Sequence, residues 1–359
     1  MSGTPARTAD AVTAADVVCL GESMVTFLPS QPGRLADVPS FGRGIGGAES
    51  NVACALAAAG HRAAWVSRVG TDGFGDHLVE AIAGYGVDTR AVQRDPARPT
   101  GIYFRTATDR ATDVHEVAYY RAGSAASAMS PDNVPHEALF AGRVLHLSGI
   151  TAALSADCLA LLHDLTAPRA GRPLISFDVN HRPGLWRHTD AAPEVLLRLA
   201  RRCDLVFVGE DEAQEAWGVK GAEAIRAALP EPEVLVVKRG SDGATVFSGL
   251  RPRPRSSTAQ GAESVTAVPA LRVDVVAPVG AGDAFAAGFL SATLRDLPMR
   301  DRVRHGHLMA AAVLTVPGDL TDPPARAHAD RLAALDDEAW GRLRLGPGWT
   351  GDDQEVRTT

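Results

Sequence analysis

Cysteines and aromatic residues are scarce in this chain. Only four of its 359 residues are cysteine, and Phe, Trp and Tyr together make up 5%. Cys19, Cys54, Cys158 and Cys203 lie more than 30 residues apart and form no C-x-x-C pair, which argues against a zinc site and against a small disulfide scaffold. We therefore expect reduced thiols and a cytoplasmic location.

Basic residues are outnumbered, and long apolar runs are missing. Lys and Arg total 36 against 43 Asp and Glu, whereas a protein that binds nucleic acid needs a concentrated basic face. No segment approaches the roughly 18 apolar residues of a membrane span, and Met1 to Asp16 lacks the basic and apolar regions of a signal peptide. We expect neither nucleic acid nor a membrane as a partner.

The remaining composition is that of a folded protein, with 45% hydrophobic and 22% charged residues. The length allows two domains, or one large α/β unit with an appendage. Residues 16–340 are expected to fold, and residues 1–15 and 346–359 to be disordered.

Short apolar runs alternate with helical patterns along most of the chain. The predicted strands are Val17–Leu20, Ala64–Val69, Val144–Ser148, Leu174–Val179, Leu205–Val208 and Val234–Lys238. The predicted helices are Ser50–Ala59, His77–Gly84, Ala156–Thr166, Pro193–Cys203 and Ala284–Arg295. Most of the strands are uniformly apolar, as strands buried on both faces are. This alternation predicts an α/β fold with a doubly wound, mostly parallel sheet and helices on both faces.

Two polar and aromatic runs interrupt this alternation. Gly101–Ala107 and Glu116–Arg121 flank a polar turn, Thr108–Asp113, and predict an exposed hairpin that stands off the main sheet. Such a hairpin could cover a ligand site.

Three glycines match a familiar phosphate-binding spacing without its context. Gly42, Gly44 and Gly47 satisfy G-x-G-x-x-G, but Pro39 interrupts the residues before them. The dinucleotide fingerprint follows a strand and carries an acid about 20 residues further on, and no acid is found there. This argues against a dinucleotide fold, and no P-loop motif occurs anywhere in the sequence.

The glycines Gly46 and Gly47 lead into a helix of small residues. Paired glycines let a ligand approach the backbone closely, and Asn51 could present its amide to a ligand hydroxyl. The alternative is a flexible turn in which Ser50 or Asn51 is an N-cap.

A second glycine-rich turn, in the segment Pro278–Phe289, opens another predicted helix. The backbone N–H groups of Gly280, Ala281 and Gly282 and the positive end of the helix dipole would form an anion hole suited to a phosphoryl group in transfer. Asp283 beside it could accept the proton of an attacking hydroxyl. The alternative is an acid that merely stabilises the helix start.

Two further loops follow predicted strands. Asp178, Asn180 and Arg182 at i, i+2 and i+4 would leave one face of their strand, so that Arg182 could bind phosphate or carboxylate; the alternative is a surface arginine with a capping asparagine. Lys238–Gly243 is a strand that enters a glycine turn, and Asp242-Gly243 is also a standard two-residue hairpin signal.

Taken in this order, these segments resemble the ribokinase-like (PfkB) carbohydrate kinase family from about Val17 to Pro324, with signatures at Gly46–Gly70 and Pro278–Phe289 and a Gly318-Asp319 turn after the penultimate helix. The family fold is a doubly wound α/β domain with a small β lid over the sugar. The resemblance implies a kinase domain over residues 16–340, lid elements near 22–45 and 97–122, and association of two copies through the lid as an open option.

Several segments resemble the 2-keto-3-deoxygluconate kinases of that family: Gly47–Asn51, Thr100–Tyr103, Tyr119–Arg121 with Ser124–Ser127, His146–Thr151 and Asp178–Trp186. The resemblance implies ATP and Mg²⁺ as cofactors and a sugar acid as substrate. A carboxylate on that substrate could be bound in bidentate fashion by Arg121 or Arg182. The alternative for Arg121 is an exposed lid charge.

The implied roles cover three groups of residues. Catalysis is assigned to Asp283, Gly280, Ala281, Gly282 and Arg182. The sugar site is assigned to Gly46, Gly47, Asn51, Tyr103, Tyr119, Arg121, Arg182 and Asp283. The ATP site is assigned to Asn180, Lys238, Gly240, Asp242, Gly243, Gly280 and Gly282, with Glu212 near magnesium through water.

Three positions depart from the family pattern. Ala277 replaces an acid, which puts a monovalent-cation site in doubt, and Glu49 stands where a proline is common. Gly209–Glu212 keeps the glutamate of an N-x-x-E element and loses its asparagine. A kinase of a neutral sugar such as fructose or ribose, and a non-catalytic sugar or nucleotide sensor, remain as alternatives.

Overall fold

The computed structural model describes residues 15–106, 116–186, 192–249, 263–351 and 357–358. The expected disorder of residues 1–14 and the predicted turn Thr108–Asp113 lie outside these ranges. The strands are β1 Val17–Leu20, β2 Met24–Pro29, β3 Phe41–Gly46, β4 Ala63–Val66, β5 Arg68–Gly70, β6 Gln93–Asp95, β7 Ile102–Arg105, β8 Val117–Tyr120, β9 Val144–Ser148, β10 Leu174–Asp178, β11 Leu205–Gly209, β12 Val234–Lys238, β13 Ala244–Ser248, β14 Ser264–Val268, β15 Arg272–Val273, β16 Leu343–Leu345 and β17 Arg357–Thr358. The helices are α1 Ala48–Ala58, α2 Gly73–Gly84, α3 His136–Leu139, α4 Gly149–Ala152, α5 Ala156–Leu165, α6 Ala192–Ala200, α7 Glu210–Trp217, α8 Ala222–Ala228, α9 Ala281–Leu294, α10 Met299–Leu314, α11 Arg326–Ala333 and α12 Asp337–Arg342.

Within the described ranges, eight strands form the main sheet in the order β14-β13-β12-β11-β10-β9-β1-β4. The pairs from β12 to β4 are parallel, and β13 and β14 add an antiparallel edge. The doubly wound, mostly parallel fold predicted from the sequence is therefore confirmed. One predicted strand, Ala64–Val69, was wrong as a single element, because β4 ends at Val66 and β5 pairs with β6 in a separate sheet.

The main sheet is covered on both faces, and the side chains of its central strands are mostly apolar and buried. Along β1, Val17 and Cys19 belong to one apolar cluster and Val18 and Leu20 to the other. Residues of α1, α9 and α10 complete the first cluster, and residues of α5, α6 and α8 complete the second. The side-chain alternation of a strand thus builds two cores from one uninterrupted apolar run.

A separate four-stranded sheet, in the order β3-β2-β7-β8, is assembled from the two segments expected to form the lid. Tyr103 of β7 lies opposite Thr26 of β2 and Tyr119 of β8. Because side chains alternate along β7, Tyr103 and Arg105 share one face and are buried there. We call this four-stranded sheet the lid.

The carboxyl-terminal end differs from the prediction. Leu343 and Leu345 of β16 belong to an apolar cluster, and Trp349 is 4% exposed. Ordered structure therefore continues past residue 340 and through residue 351, because Trp349 buries its apolar ring within the segment that was expected to be disordered. Residues 352–356 lie outside the described ranges.

Candidate active site

The parallel strands of the main sheet end at one edge, and polar residues follow there. Asp178 is the last residue of β10, Lys238 is the last residue of β12, and Glu212 lies in the first turn of α7 directly after β11. The carboxyl edge of an open parallel sheet is where α/β folds bind ligands. The same edge faces the start of α9, since a Cβ added to Gly282 would lie 3.6 Å from Nζ of Lys238.

The start of α9 is a glycine turn with free donors. Gly280 is the N-cap with φ +78°, and no side chain caps the helix. A side chain at Gly280 would be strained by this φ, and its Cβ would lie 2.6 Å from the carbonyl oxygen of Asp319. The N–H groups of Ala281, Gly282 and Asp283 have no partner within the helix, so the turn has the donors and the dipole of an anion site.

Asp283 lies in the first turn of α9, where Asn51 of α1 holds its carboxylate. The Nδ2 group of Asn51 donates a hydrogen bond to Oδ2 of Asp283 at 2.9 Å. Burial raises the pKa of Asp283 to about 7, against the hydrogen bond from Asn51, which lowers it. A carboxylate with a pKa near neutrality is suited to accept a proton from a hydroxyl at pH 7.

Lys238 and the buried Asp178 form a partly buried ion pair beside the glycine turn. Nζ of Lys238 lies 3.0 and 3.2 Å from the two carboxylate oxygens of Asp178. Burial lowers the pKa of Lys238, but the nearby carboxylates of Asp178 and Glu212 raise it above its usual value. A Cβ added to Gly282 would lie 3.6 Å from the same Nζ, so a fixed cation lies beside the turn Gly280–Gly282, which we call the anion turn.

The pairing of Lys238 with Asp178 was not foreseen from the sequence. The two residues end strands β12 and β10, which are separated in the sheet by β11. The sequence signal that could have suggested this pair is an aspartate at the end of one apolar strand and a lysine at the end of another.

The prediction for the segment after β10 was wrong in its geometry. The strand ends at Asp178, and Asn180 has φ +43°, in the left-handed region. Asp178, Asn180 and Arg182 therefore do not leave one strand face, because the backbone turns between them. Asn180 is buried, whereas the side chain of Arg182 is 53% exposed and lies 3.5 Å from Oε1 of Glu212.

The first glycine signature is shaped by the chain itself. The N-cap of α1 is Gly47, which makes no side-chain hydrogen bond, so the alternative of a Ser50 or Asn51 cap is not observed. A Cβ on Gly46 would overlap the hydroxyl of Tyr103, and one on Gly47 would overlap the backbone of Glu22. These glycines therefore allow the lid and the segment after β1 to pack against the start of α1.

Tyr103 of the lid faces Gly46 of the glycine signature, and Tyr119 lies beside it. Tyr103 is 7% exposed, and its ring centroid lies 5.4 Å from that of Tyr119, which is 54% exposed. Arg121 is not the exposed charge of the alternative interpretation, because its side chain is 11% exposed and its Nε donates to Oε2 of Glu22 at 2.7 Å. Ser124 donates to the other oxygen of Glu22 at 2.5 Å. Sequence reasoning missed Glu22.

The segment after Lys238 joins β12 to the antiparallel strand β13 through residues 239–243. The hairpin interpretation is thus confirmed, although the connection has five residues and not the two of an Asp-Gly turn. Gly240 and Gly243 have φ of +53° and +102°, and Gly240 and Asp242 are exposed beside the carboxyl edge. A hairpin at this edge remains compatible with the predicted nucleotide loop.

Glu212 is already engaged within its own helix. Its Oε2 accepts the N–H of Gly209 at 2.9 Å and so caps α7. Among the residues that the structure describes, no group of three or more His, Cys, Asp and Glu side chains could hold a metal ion. The carboxylates therefore form no cage for Mg²⁺, an ion that proteins usually hold through one or two carboxylates, water and substrate phosphates.

None of the helices in the described ranges has the length and apolarity to cross a membrane. All four cysteines are buried free thiols.

A parallel sheet with a glycine anion turn, a buried carboxylate beside it and a β lid defines a carbohydrate kinase of the ribokinase-like class. The model of the pfkB family of carbohydrate kinases matches residues 14–326, and the chain belongs to this family. A kinase of this family uses ATP.

Several relatives match most of this chain. The chain is 34% identical over 325 residues to the 2-dehydro-3-deoxygluconokinase of Bacillus subtilis (strain 168), covering 89% of this chain and 95% of the relative. It is 29% identical over 306 residues to a probable chloroplastic fructokinase-6 of Arabidopsis thaliana, covering 82% and 75%. A crystal structure of a PfkB protein from Polaromonas sp. JS666 is 32% identical with a TM-score of 0.75, covering 88% and 99%.

Proposed function

We propose that this kinase transfers the γ-phosphoryl group of ATP to the terminal hydroxyl of 2-keto-3-deoxygluconate, giving the 6-phosphate and ADP. The likeness to 2-dehydro-3-deoxygluconokinase over 95% of that relative's length supports the substrate. The observation that carries the chemistry is Asp283, held by Asn51 beside the anion turn with a pKa of about 7.

The proposed step begins with a proton transfer. Asp283 accepts the proton of the sugar hydroxyl while the hydroxyl oxygen attacks the γ-phosphorus of ATP. The bond between the γ-phosphorus and the β-phosphate oxygen breaks, and ADP leaves. The N–H groups at Gly280–Gly282 and the ammonium of Lys238 stabilise the charge on the transferring group. Mg²⁺ would enter with the phosphates of ATP, and Glu212 would contact it through water.

The sugar acid is proposed to lie between the start of α1 and the lid. Tyr103 and Tyr119 would supply an apolar wall and hydroxyl groups, and Gly46, Gly47 and Asn51 the opposite side. Arg121 and Arg182 carry the cations available to a carboxylate, and Arg182 is the more exposed of the two.

A neutral sugar such as fructose is the second candidate. The fructokinase relative and the ion pair of Arg121 with Glu22 favour it, because a guanidinium that is already neutralised attracts a substrate carboxylate less strongly.

The test is a substrate panel with Mg-ATP that contains 2-keto-3-deoxygluconate, its galactonate epimer, fructose and ribose. We expect the highest kcat/KM for a keto-deoxy sugar acid. Preference for fructose or ribose would overturn the substrate and leave the kinase. Sugar binding without ATP consumption by the wild type would establish the sensor alternative.

A further inference from the structure

Another buried ion pair connects the lid to the loop after α10. Nη2 of Arg105, in β7, lies 2.8 Å from Oδ1 of Asp319, in the loop after α10. Both side chains are 7% exposed. The Nε group of Arg105 is buried and has no hydrogen-bond partner among the described residues. Asp319 is the counter-ion of this buried guanidinium. Removing either partner would leave the other as a buried, unpaired charge, which is strongly destabilising.

Asp319 also contacts the elements around the base and the anion turn. The hydroxyl of Tyr103 donates to its Oδ2 at 3.3 Å, and its backbone lies against Gly280, where an added Cβ would be 2.6 Å from its carbonyl oxygen. Asp319 lines one small cavity together with Asn51, the residue that holds Asp283.

We propose that Arg105 is a positioning residue, which through Asp319 couples the place of the lid to the geometry of the anion turn. Arg105 and Tyr103 leave the same face of β7, so a lid that is correctly seated presents both to Asp319 at once. A displaced lid would withdraw both contacts from Asp319. The backbone of Asp319, which lies against Gly280, would then lose its fixed position. This inference rests on the proposed kinase function for its kinetic readout only.

The tests are Arg105→Met, which removes the charge and keeps the unbranched first part of the side chain, and Arg105→Lys, which keeps the charge. Arg344→Met is the matched control, because Arg344 forms an exposed ion pair with Asp274. For Arg105→Met we expect KM for the sugar to rise about tenfold or more and kcat to fall, with KM for ATP changed less than about twofold. Arg105→Lys should recover part of the loss, and Arg344→Met should match the wild type.

Hydrogen exchange supplies a readout that needs no substrate. In Arg105→Met the amides of β7 and β8 and those of residues 278–283 should both exchange faster than in the wild type, since the two regions are coupled through Asp319. Faster exchange in the lid alone, or equal rises of KM for sugar and ATP, would overturn the proposal. If the wild type phosphorylated none of the sugars, the proposed function would fail, but the exchange experiment would still show whether the lid and the anion turn are coupled. Failure of the proposed function and failure of the coupling can therefore be told apart. If Arg105→Met does not fold, Arg105→Lys and Asp319→Asn are compared in the same exchange experiment, with the same outcomes required.

Discussion

Removing the amide of Asn51 tests whether the Asp283 carboxylate is the base. In Asn51→Leu the hydrogen bond of 2.9 Å to Asp283 is lost, while the branched shape and the number of heavy atoms of the side chain are kept. A hydrogen bond to a charged group contributes about 1.5–3 kcal/mol. At about 1.4 kcal/mol for each pKa unit, its loss raises the pKa of Asp283 by about 1–2 units. The starting value is about 7.

The direction of the pH effect follows from the role of the base. Asp283 must be ionised to accept a proton, so kcat/KM of the wild type should rise with pH, pass half of its maximum near pH 7 and level off about one unit higher. In Asn51→Leu the rise should move to about pH 8–9. At pH 7 the ionised fraction then falls from about one half to about 1–10%, which predicts a five- to fiftyfold loss that recovers at higher pH.

The assay is kcat/KM for the best sugar of the panel between pH 5.5 and 9.5, with ATP saturating. Ser50→Ala is the neighbouring control, because Ser50 bonds Ser23 and Gly47 and not Asp283. It should keep the rise near pH 7. A pH-independent loss in Asn51→Leu would mean that Asn51 binds the sugar without tuning the base, and would refute the reasoning.

Three further predictions concern single sites. Asp283→Asn should lower kcat at least a hundredfold and leave ATP affinity nearly unchanged, because a base acts on the transition state; near-normal turnover measured in steady-state assays would exclude Asp283 as the base. Arg121→Leu should raise KM for the sugar acid about ten- to a hundredfold, or about 1.5–3 kcal/mol, and spare a neutral sugar. The double variant with Glu22→Gln controls for the buried acid left unpaired, and equal losses on both sugars would point to lid damage. Replacing potassium by a large organic cation at fixed ionic strength should leave activity unchanged, because Ala277 offers no carboxylate; a many-fold activation by potassium would contradict this.

Local sequence patterns determined the elements of the fold and the chemistry of single turns. The strands β1, β9 and β12 were predicted at the bounds observed, because burial on both faces makes a central strand mostly apolar, although β9 contains the buried His146 and β12 ends at Lys238. The Gly280–Asp283 turn was likewise predicted from the sequence, because its glycines, its backbone N–H donors and its aspartate are neighbours in the chain. The roles assigned to the sugar and ATP residues remain predictions, carried by the family resemblance.

Contacts between distant segments were decided only by the tertiary structure. Asn51 and Asp283 are 232 residues apart, and Tyr103 and Asp319 are 216 apart, so no periodicity connects them. Lys238 meets Asp178 because the strand order places β12 and β10 on either side of β11, which the sequence does not state. The pKa of Asp283 depends on this same assembly, because burial and its partners come from elements far away in the chain.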